Sequence, residues 1–370
     1  MTDVVVTPAD EGFRMPAEWE PHRATWLVWP QHAPDWDRKI ATVTWVYVEI
    51  VRHLLPGERV AIIVGSARCE RDARERLDEA RAPLDRIEFH RVPTDRSWIR
   101  DSGPIFVVRP RAGRREREVA ATDWGFNAWA RYSNWRRDDR VPARLARRLG
   151  MRRFEGVISN GGRRRLVLEG GSIDVDGTGH LLTTEECLLS PIQARNPGVD
   201  RKALSRAFEK YLGIHRVLWL ERGIAGDDTH GHVDDIARFV SPNVIVAAVE
   251  PNRRDDNHRP LARNLSRLRR MRRLDGKPFE IVTLPMPRPL FFGTLRLPAS
   301  YLNFYIGNRA VLVPTFNDPN DRVALTTLAE LFPDREVVGI HAVDLVLGLG
   351  TIHCLTQQEP AAVLRSETSY

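Results

Sequence analysis

Thiol chemistry has one clear candidate in this 370-residue chain: Cys354, set in Gly348-Leu-Gly-Thr-Ile-His-Cys-Leu-Thr-Gln-Gln-Glu-Pro360. Gly348 and Gly350 permit backbone conformations closed to residues with a Cβ, and Thr356, Gln357 and Gln358 follow with hydroxyl and amide groups. A nucleophile uses such neighbours; a small buried hydrophobe, the commoner fate of a free cysteine, does not need them. Both readings stand on this stretch alone.

The densest polar cluster is Gly226-Asp-Asp-Thr-His-Gly-His-Val-Asp-Asp235, with two histidines and four carboxylates in ten residues. His230-x-His232-x-Asp234 has the spacing of a metallo-hydrolase site, where neutral imidazoles and a carboxylate hold zinc or a dinuclear centre. Further metal ligands are not evident, and that reading leaves Cys354 unexplained. The competing reading pairs one histidine with Cys354 as acid and base and gives a carboxylate to a cationic substrate. A polar surface loop with incidental histidines is the third.

Asp101 in Ser97-Trp-Ile-Arg-Asp-Ser-Gly-Pro104 stands just before a strand, where it is either a site carboxylate or a turn cap. Glu169 in Leu168-Glu-Gly-Gly-Ser172 ends an apolar run, so a buried carboxylate there requires a partner. Asp174-Val-Asp-Gly177 is a weak likeness of a calcium loop and a better match to a hairpin turn.

The elements that must position these groups alternate. Apolar runs predict strands over 59–65, 87–92, 105–108, 181–184, 217–220, 244–249, 281–284, 310–314 and 336–340, with another after Pro21 flanked by Trp19, Trp26 and Trp29. Helical periodicity covers 44–55, 70–79, 201–211, 260–274 and 321–331, and 109–119 and 250–258 read as surface loops. This gives about five strand-helix-strand units of roughly 60 to 80 residues without a Ser/Gly-rich linker, hence one domain spanning 1–370 with peripheral tails at 1–14 and 363–370. A doubly wound sheet would produce a similar string.

With 42% hydrophobic residues the chain can bury a sizeable core, and no run approaches the roughly 18 apolar residues of a membrane span. Three cysteines are too few for a disulfide framework or a four-cysteine zinc site; with no signal pattern in MTDVVVTPADEGF, a cytoplasmic location is expected. Cys69 and Cys187 are expected to be structural. The net charge of +7, with arginine clusters at 114–117, Arg163–Arg165 and 269–273, invites a nucleic-acid reading. Only four of the 56 basic residues are lysines, arginine is spread along the whole chain and acids are interleaved, so a solvated arginine-rich surface is the better account.

The ordered motifs WIRDSGPIF, DWGFNAW, LEGGS, LLTTEECLLS, GDDTHGHVDD, LPASYLNFYIGN and GTIHCLTQQEP resemble those of the agmatine deiminase and bacterial peptidylarginine deiminase-like family, over roughly residues 15 to 362. The resemblance implies an α/β fold, a pentein-type propeller of five modules about a pseudo-fivefold axis, and a deiminase that needs no metal or other cofactor. Position by position it makes Cys354 the nucleophile, His232 the acid and base, Asp101 and Asp234 the guanidinium-binding carboxylates, and Glu169 the acid that orients the histidine. Trp98, Asp228, His230 and Asn303 are then candidate substrate contacts. The expected partners are a small guanidinium compound, with agmatine leading and another small guanidine or peptidyl arginine as the alternative, and as an option further copies of the chain, but neither nucleic acid nor membrane. Departures from the pattern are Leu349 and Thr351 where the family carries GGGNIHC, Asp228 where it carries glutamate, and Arg23-Ala24 after His22.

Overall fold

The computed structural model describes residues 6–111, 116–159 and 163–363. Five of its sheets share one plan, in which a strand pairs antiparallel with its neighbour and that neighbour pairs parallel with a third. They are Ile105–Pro110 with Arg117–Asp123 and Arg153–Glu155; Asp174–Val175 with His180–Thr184 and Arg216–Leu220; Ala237–Ser241 with Val244–Val249 and Glu280–Pro285; and Tyr305–Ile306 with Ala310–Thr315 and Glu336–His341. In the fifth, Gln357–Pro360 supplies the antiparallel strand against His22–Val28, which runs parallel to Arg59–Val64 and on to Ile87–Arg91. An α/β architecture is therefore established.

Parallel pairs need a crossover, and here helices supply it. Ile40–Leu54 buries Val43, Tyr47, Val48, Ile50, Val51 and Leu54, an apolar stripe at helical spacing. No side chain caps its N-terminus, a loss of about 1 kcal/mol. Each large apolar side chain buried contributes about 1.5–3 kcal/mol, so packing decides the helix. Arg201–Leu212 is capped by Asp200, which accepts from Ala203 N, and closed by left-handed Gly213.

The differences from the sequence reading are local. The loop expected over 109–119 is a hairpin, because Arg117–Asp123 pairs with Ile105–Pro110; Arg114 and Arg115 lie outside the described residues. The basic helix expected to reach 274 ends at Arg270, where Met271 turns extended and Arg272 bridges to Pro278. Of the expected tails, 1–5 and 364–370 fall outside the described residues, but Phe13 is buried in the core and Arg14 bridges to Val108, so the segment before residue 15 is not peripheral throughout. Asp174 does open a hairpin, and its carboxylate holds Arg238 and accepts from Phe239 N. No helix among the described residues is long and apolar enough to cross a membrane.

Candidate active site

The cluster at 226–235 folds around Asp227, which accepts hydrogen bonds from the backbone N–H of Thr229, Gly231 and His232. Two flanking asparagines hold the approach to it: Asn264 bonds Glu221 N and Arg222 O, and Asn257 accepts from Ala225 N. His230 and Gly231 take left-handed φ of 64° and 96°, so alternate residues do not share a face as in a strand. His230 turns outward, its Nε2 3.2 Å from Ser190 Oγ on a surface groove also lined by Glu186 and Arg222. His232 turns inward and is 1% exposed. The histidine pair therefore does not converge, and this corrects both the metal spacing read from the sequence and the placing of His230 at the substrate.

Asp101, on the short helix Ile99–Ser102, is buried rather than a turn cap. Its Oδ1 accepts from Gly171 N at 3.0 Å and its Oδ2 from the Trp129 indole at 2.9 Å. Trp129 reaches it through three successive left-handed residues, Ala128, Trp129 and Ala130. Such backbone costs about 1–3 kcal/mol per residue and persists where the surroundings fix it; here Asn127 Oδ1 accepts from Ala130 N. Gly171 is fixed by close approach: a Cβ there would lie 2.6 Å from His232 Nδ1, 2.8 Å from Asp101 Oδ1 and 3.0 Å from Asp234 Oδ2. Three groups expected at the site thus converge on one missing side chain.

Cys354 lies on the short helix Ile352–Leu355, its Sγ 3.2 Å from Asn303 Nδ2 and 3.9 Å from Asp234 Oδ2. Asn303 Oδ1 accepts from the Thr351 hydroxyl and His353 N, clamping the turn that carries the thiol. The left-handed residue of that turn is Leu349 (φ 65°), not either glycine; Gly350 is required because a Cβ would lie 3.1 Å from Cys354 Sγ and 2.9 Å from the Trp98 ring. His353 was not anticipated. Its imidazole spans Asp234 Oδ2 at 2.7 Å and Glu18 Oε2 at 2.8 Å, and Glu18 also holds Arg100 and Arg238.

Glu169 finds its partner in Arg195, whose Nε lies 3.0 Å from Oε1 and whose other nitrogens reach Gln193 O and Thr229 O. That cation, a second residue the sequence reading missed, holds the Glu169 pKa down at about 2 against the effect of burial. His232 is flanked at 3.8 Å on each side, Nδ1 by Asp101 and Nε2 by Glu169, and both ring nitrogens lack a hydrogen-bond partner. Burial opposes charge on this ring, but Asp101, Cys187 and Glu169 outweigh it and hold its pKa well above the ordinary histidine value. Burial, then Asp234, Asp235 and Asp101, push the Cys354 thiol well above its usual value, so it is protonated in the free protein. Burial likewise raises Asp101, whereas the His353 hydrogen bond overcomes burial and lowers Asp234, whose Oδ1 stays unpartnered.

Cys354 opens on a narrow pocket walled by Trp98, Asp101, Trp129, Asp228 and Leu349. Asp228 accepts from Tyr132 Oη at 2.5 Å, and burial raises its pKa to about 6. Arg96 closes the wall, stacked 4.0 Å over the Tyr132 ring and paired with Asp35. Of the expected residues, Cys354, Asp101, Trp98 and Asp228 line this pocket; Asn303 and Asp234 stand behind the thiol, and His232 and Glu169 behind Asp101. Among the described residues, the side chains whose donor atoms could hold a metal ion within 4.8 Å of one another are Glu169, Cys187 and His232. Cys187, expected to be structural, thus stands at the site, whereas Cys69 lies partly buried on the helix Ala67–Glu79.

A sequence profile of the Porphyromonas-type peptidyl-arginine deiminase family matches residues 14–360. Agmatine deiminase of Ectopseudomonas mendocina (strain ymp) is 35% identical over 98% of this chain and 99% of its own, and that of Pseudomonas putida KT2440 is 36% identical over 97% and 98%. The solved agmatine deiminase of Enterococcus faecalis superposes with a TM-score of 0.87 at 32% identity, covering 97% of this chain and 99% of its own. A cysteine-to-serine variant of the C. jejuni agmatine deiminase, solved with substrate bound, superposes at 0.81 with 27% identity over 95% and 97%.

Proposed function

The chain belongs to the Porphyromonas-type peptidyl-arginine deiminase family, and on that basis and the pocket beside Cys354 we propose that it hydrolyses a guanidinium C–N bond, with agmatine as substrate and N-carbamoylputrescine and ammonia as products. The observation that carries this reading is the convergence of one imidazole and two carboxylates at Gly171, with the Cys354 thiol 3.9 Å from one of those carboxylates and beside a pocket that the other lines.

We assign the roles as follows. Asp101 and Asp234 accept the N–H groups of the guanidinium, whose forked geometry suits paired charge-assisted hydrogen bonds, and keep it cationic and electrophilic at carbon. Arrival of that cation beside Cys354 offsets the carboxylates that disfavour the thiolate, so the thiol gives up its proton to solvent and the nucleophile forms when substrate is present. Sulfur adds to the guanidinium carbon; His232 gives its proton to the departing nitrogen, the C–N bond breaks and ammonia leaves a thiouronium on Cys354. His232 then takes a proton from water, the resulting hydroxide adds to the same carbon, and the C–S bond breaks to release the thiolate and the ureido product, whose hydroxyl proton passes to solvent. Asn303 Nδ2, 3.2 Å from Sγ, donates to that thiolate, and Asp228 receives the substrate's far ammonium.

We further read the five sheets as five modules of one domain about a pseudo-fivefold axis, and the protein as cytoplasmic, in keeping with its three free cysteines. Ammonia release measured over a panel of agmatine, arginine, small guanidines and an arginyl peptide tests the reading. Agmatine should give the highest kcat/KM, and Cys354→Ser should remove turnover while a strong chelator leaves the wild type unchanged. Chelator-sensitive turnover restored by zinc would defeat it.

A further inference from the structure

We propose that the Cys187 thiol, which no step above uses, is a positioning residue for His232: with Glu169 and Asp101 it forms the socket that keeps the imidazole in place and protonated until ammonia leaves. This rests on His232 serving as the acid and base.

The geometry comes first. Cys187 Sγ, a ring nitrogen of His232 and a carboxylate oxygen of Glu169 all lie within 4.8 Å of one another, and all three residues are buried. Neither His232 nitrogen nor Glu169 Oε2 has a hydrogen-bond partner, and the flanking carboxylate oxygens stand 3.8 Å away on both sides. The ring is therefore located by packing and charge rather than by hydrogen bonds, and the sulfur is a further polar atom beside it. Cys187 belongs to the apolar cluster of Leu181, Leu188 and Leu204, but its sulfur also lies beside the unpartnered polar atoms of His232 and Glu169, and burying an unpartnered polar atom against an inert group costs roughly 1–3 kcal/mol. A weakly accepting, polarisable sulfur reduces that cost and leaves the ring able to turn from the leaving nitrogen to water.

The local construction fits the same role. Thr184 Oγ1 accepts from Cys187 N at 3.0 Å and donates to Gly231 O at 2.6 Å, so one hydroxyl fixes both the turn bearing the thiol and the residue before His232. On the far side Arg195 holds Glu169 Oε1 and leaves Oε2 to the cluster. That buried guanidinium also weighs against a divalent cation among Glu169, Cys187 and His232, because the two would repel across a single carboxylate.

The test compares Cys187→Ala and Cys187→Ser with wild type in kcat–pH and KM–pH profiles, and follows the His232 ring by NMR titration with His232→Gln as the assignment control. Cys187→Ala should lower kcat by about tenfold with KM within about twofold, and should move the alkaline limb and the ring titration to lower pH; Cys187→Ser, which keeps a polar atom, should restore most of both. Lower thermal stability with an unmoved limb and ring titration would leave Cys187 structural and overturn the inference. Zinc-dependent activity lost in Cys187→Ala would overturn it in favour of a metal centre. Should Cys187→Ala fail to fold, the ring titration in Cys187→Val, apolar and close in volume, decides: a titration moved to lower pH supports a polar socket, and identity with wild type overturns it. An active His232→Gln enzyme would instead sink the reading of the site on which the inference rests.

Discussion

His353 Nδ1 lies 2.7 Å from Asp234 Oδ2, and the opposite face of the same ring meets Glu18 Oε2 at 2.8 Å. The imidazole thus occupies one oxygen of Asp234 and leaves Oδ1 for a substrate N–H. Replacing His353 by Gln should let the carboxylate rotate and cost about 1–3 kcal/mol of transition-state binding, a loss in kcat/KM of roughly ten- to a hundredfold. Kinetics on agmatine with folding checked by circular dichroism measures it; wild-type kcat/KM would show that Asp234 is held without its histidine.

Asp101→Asn and Asp234→Asn should each lower turnover by at least about a hundredfold, since roughly 3 kcal/mol is plausible for a less electrophilic or misplaced carbon. The net charge of +7 disfavours a cation at long range, but within about 4 Å of a carboxylate the local attraction dominates a screened surface. Either variant retaining full turnover on its best guanidine would remove that aspartate from the site.

Asp228 sets an acid limb. Burial raises its pKa to about 6, so below that pH it is neutral and no longer attracts an ammonium. The kcat/KM for agmatine should fall about tenfold per unit as pH drops below 6, beyond any fall seen with an alkylguanidine of uncharged tail. Asp228→Asn should abolish the difference between the two substrates; an identical pair of profiles in wild type would place the ammonium elsewhere.

Gly171→Ala should fold and fail. Its Cβ would stand 2.6 to 3.0 Å from His232, Asp101 and Asp234, none of which can yield without leaving the site. A shift of about 1 Å in reacting groups can cost a hundredfold, so turnover should fall by at least that factor while the melting temperature changes modestly. Near-normal turnover would mean the three groups need not be where they are.

The strands were legible where apolar runs are continuous, as in Val244–Val249 and Ala310–Thr315, because both faces are covered. Arg117–Asp123 was not, since its charged start, Arg117-Glu118, reads as loop although Arg117 is buried against Glu20. The extended helix prediction past Arg270 followed Met271 and Leu274, apolar residues at helical spacing that serve a turn instead. At the site, residue types left Cys354, His232, Asp101 and Asp234 open to structural readings and the family resemblance singled them out, but pairing is a tertiary fact. Arg195 lies in an ordinary polar stretch and Glu18 in a tryptophan-rich one, and nothing in spacing says that they meet Glu169 and His353. A buried glutamate demanding a partner was the one usable signal for Arg195. His230 failed in the opposite way: alternate spacing promised a shared face until two left-handed residues turned it outward.

The pairing of Gln357–Pro360 with His22–Val28, locked where the Trp26 indole donates to Glu359 at 2.8 Å across 333 residues, bears on how the protein is made. A ribosome delivers the chain in order, so the four strands of that sheet emerge with a long wait before the last, and the thiol emerges just ahead of it. Until that segment docks, a growing polypeptide already carrying the carboxylates and the imidazole has no nucleophile set among them. With Cys354 as the proposed nucleophile, a chain cut short upstream of it is expected to show no turnover.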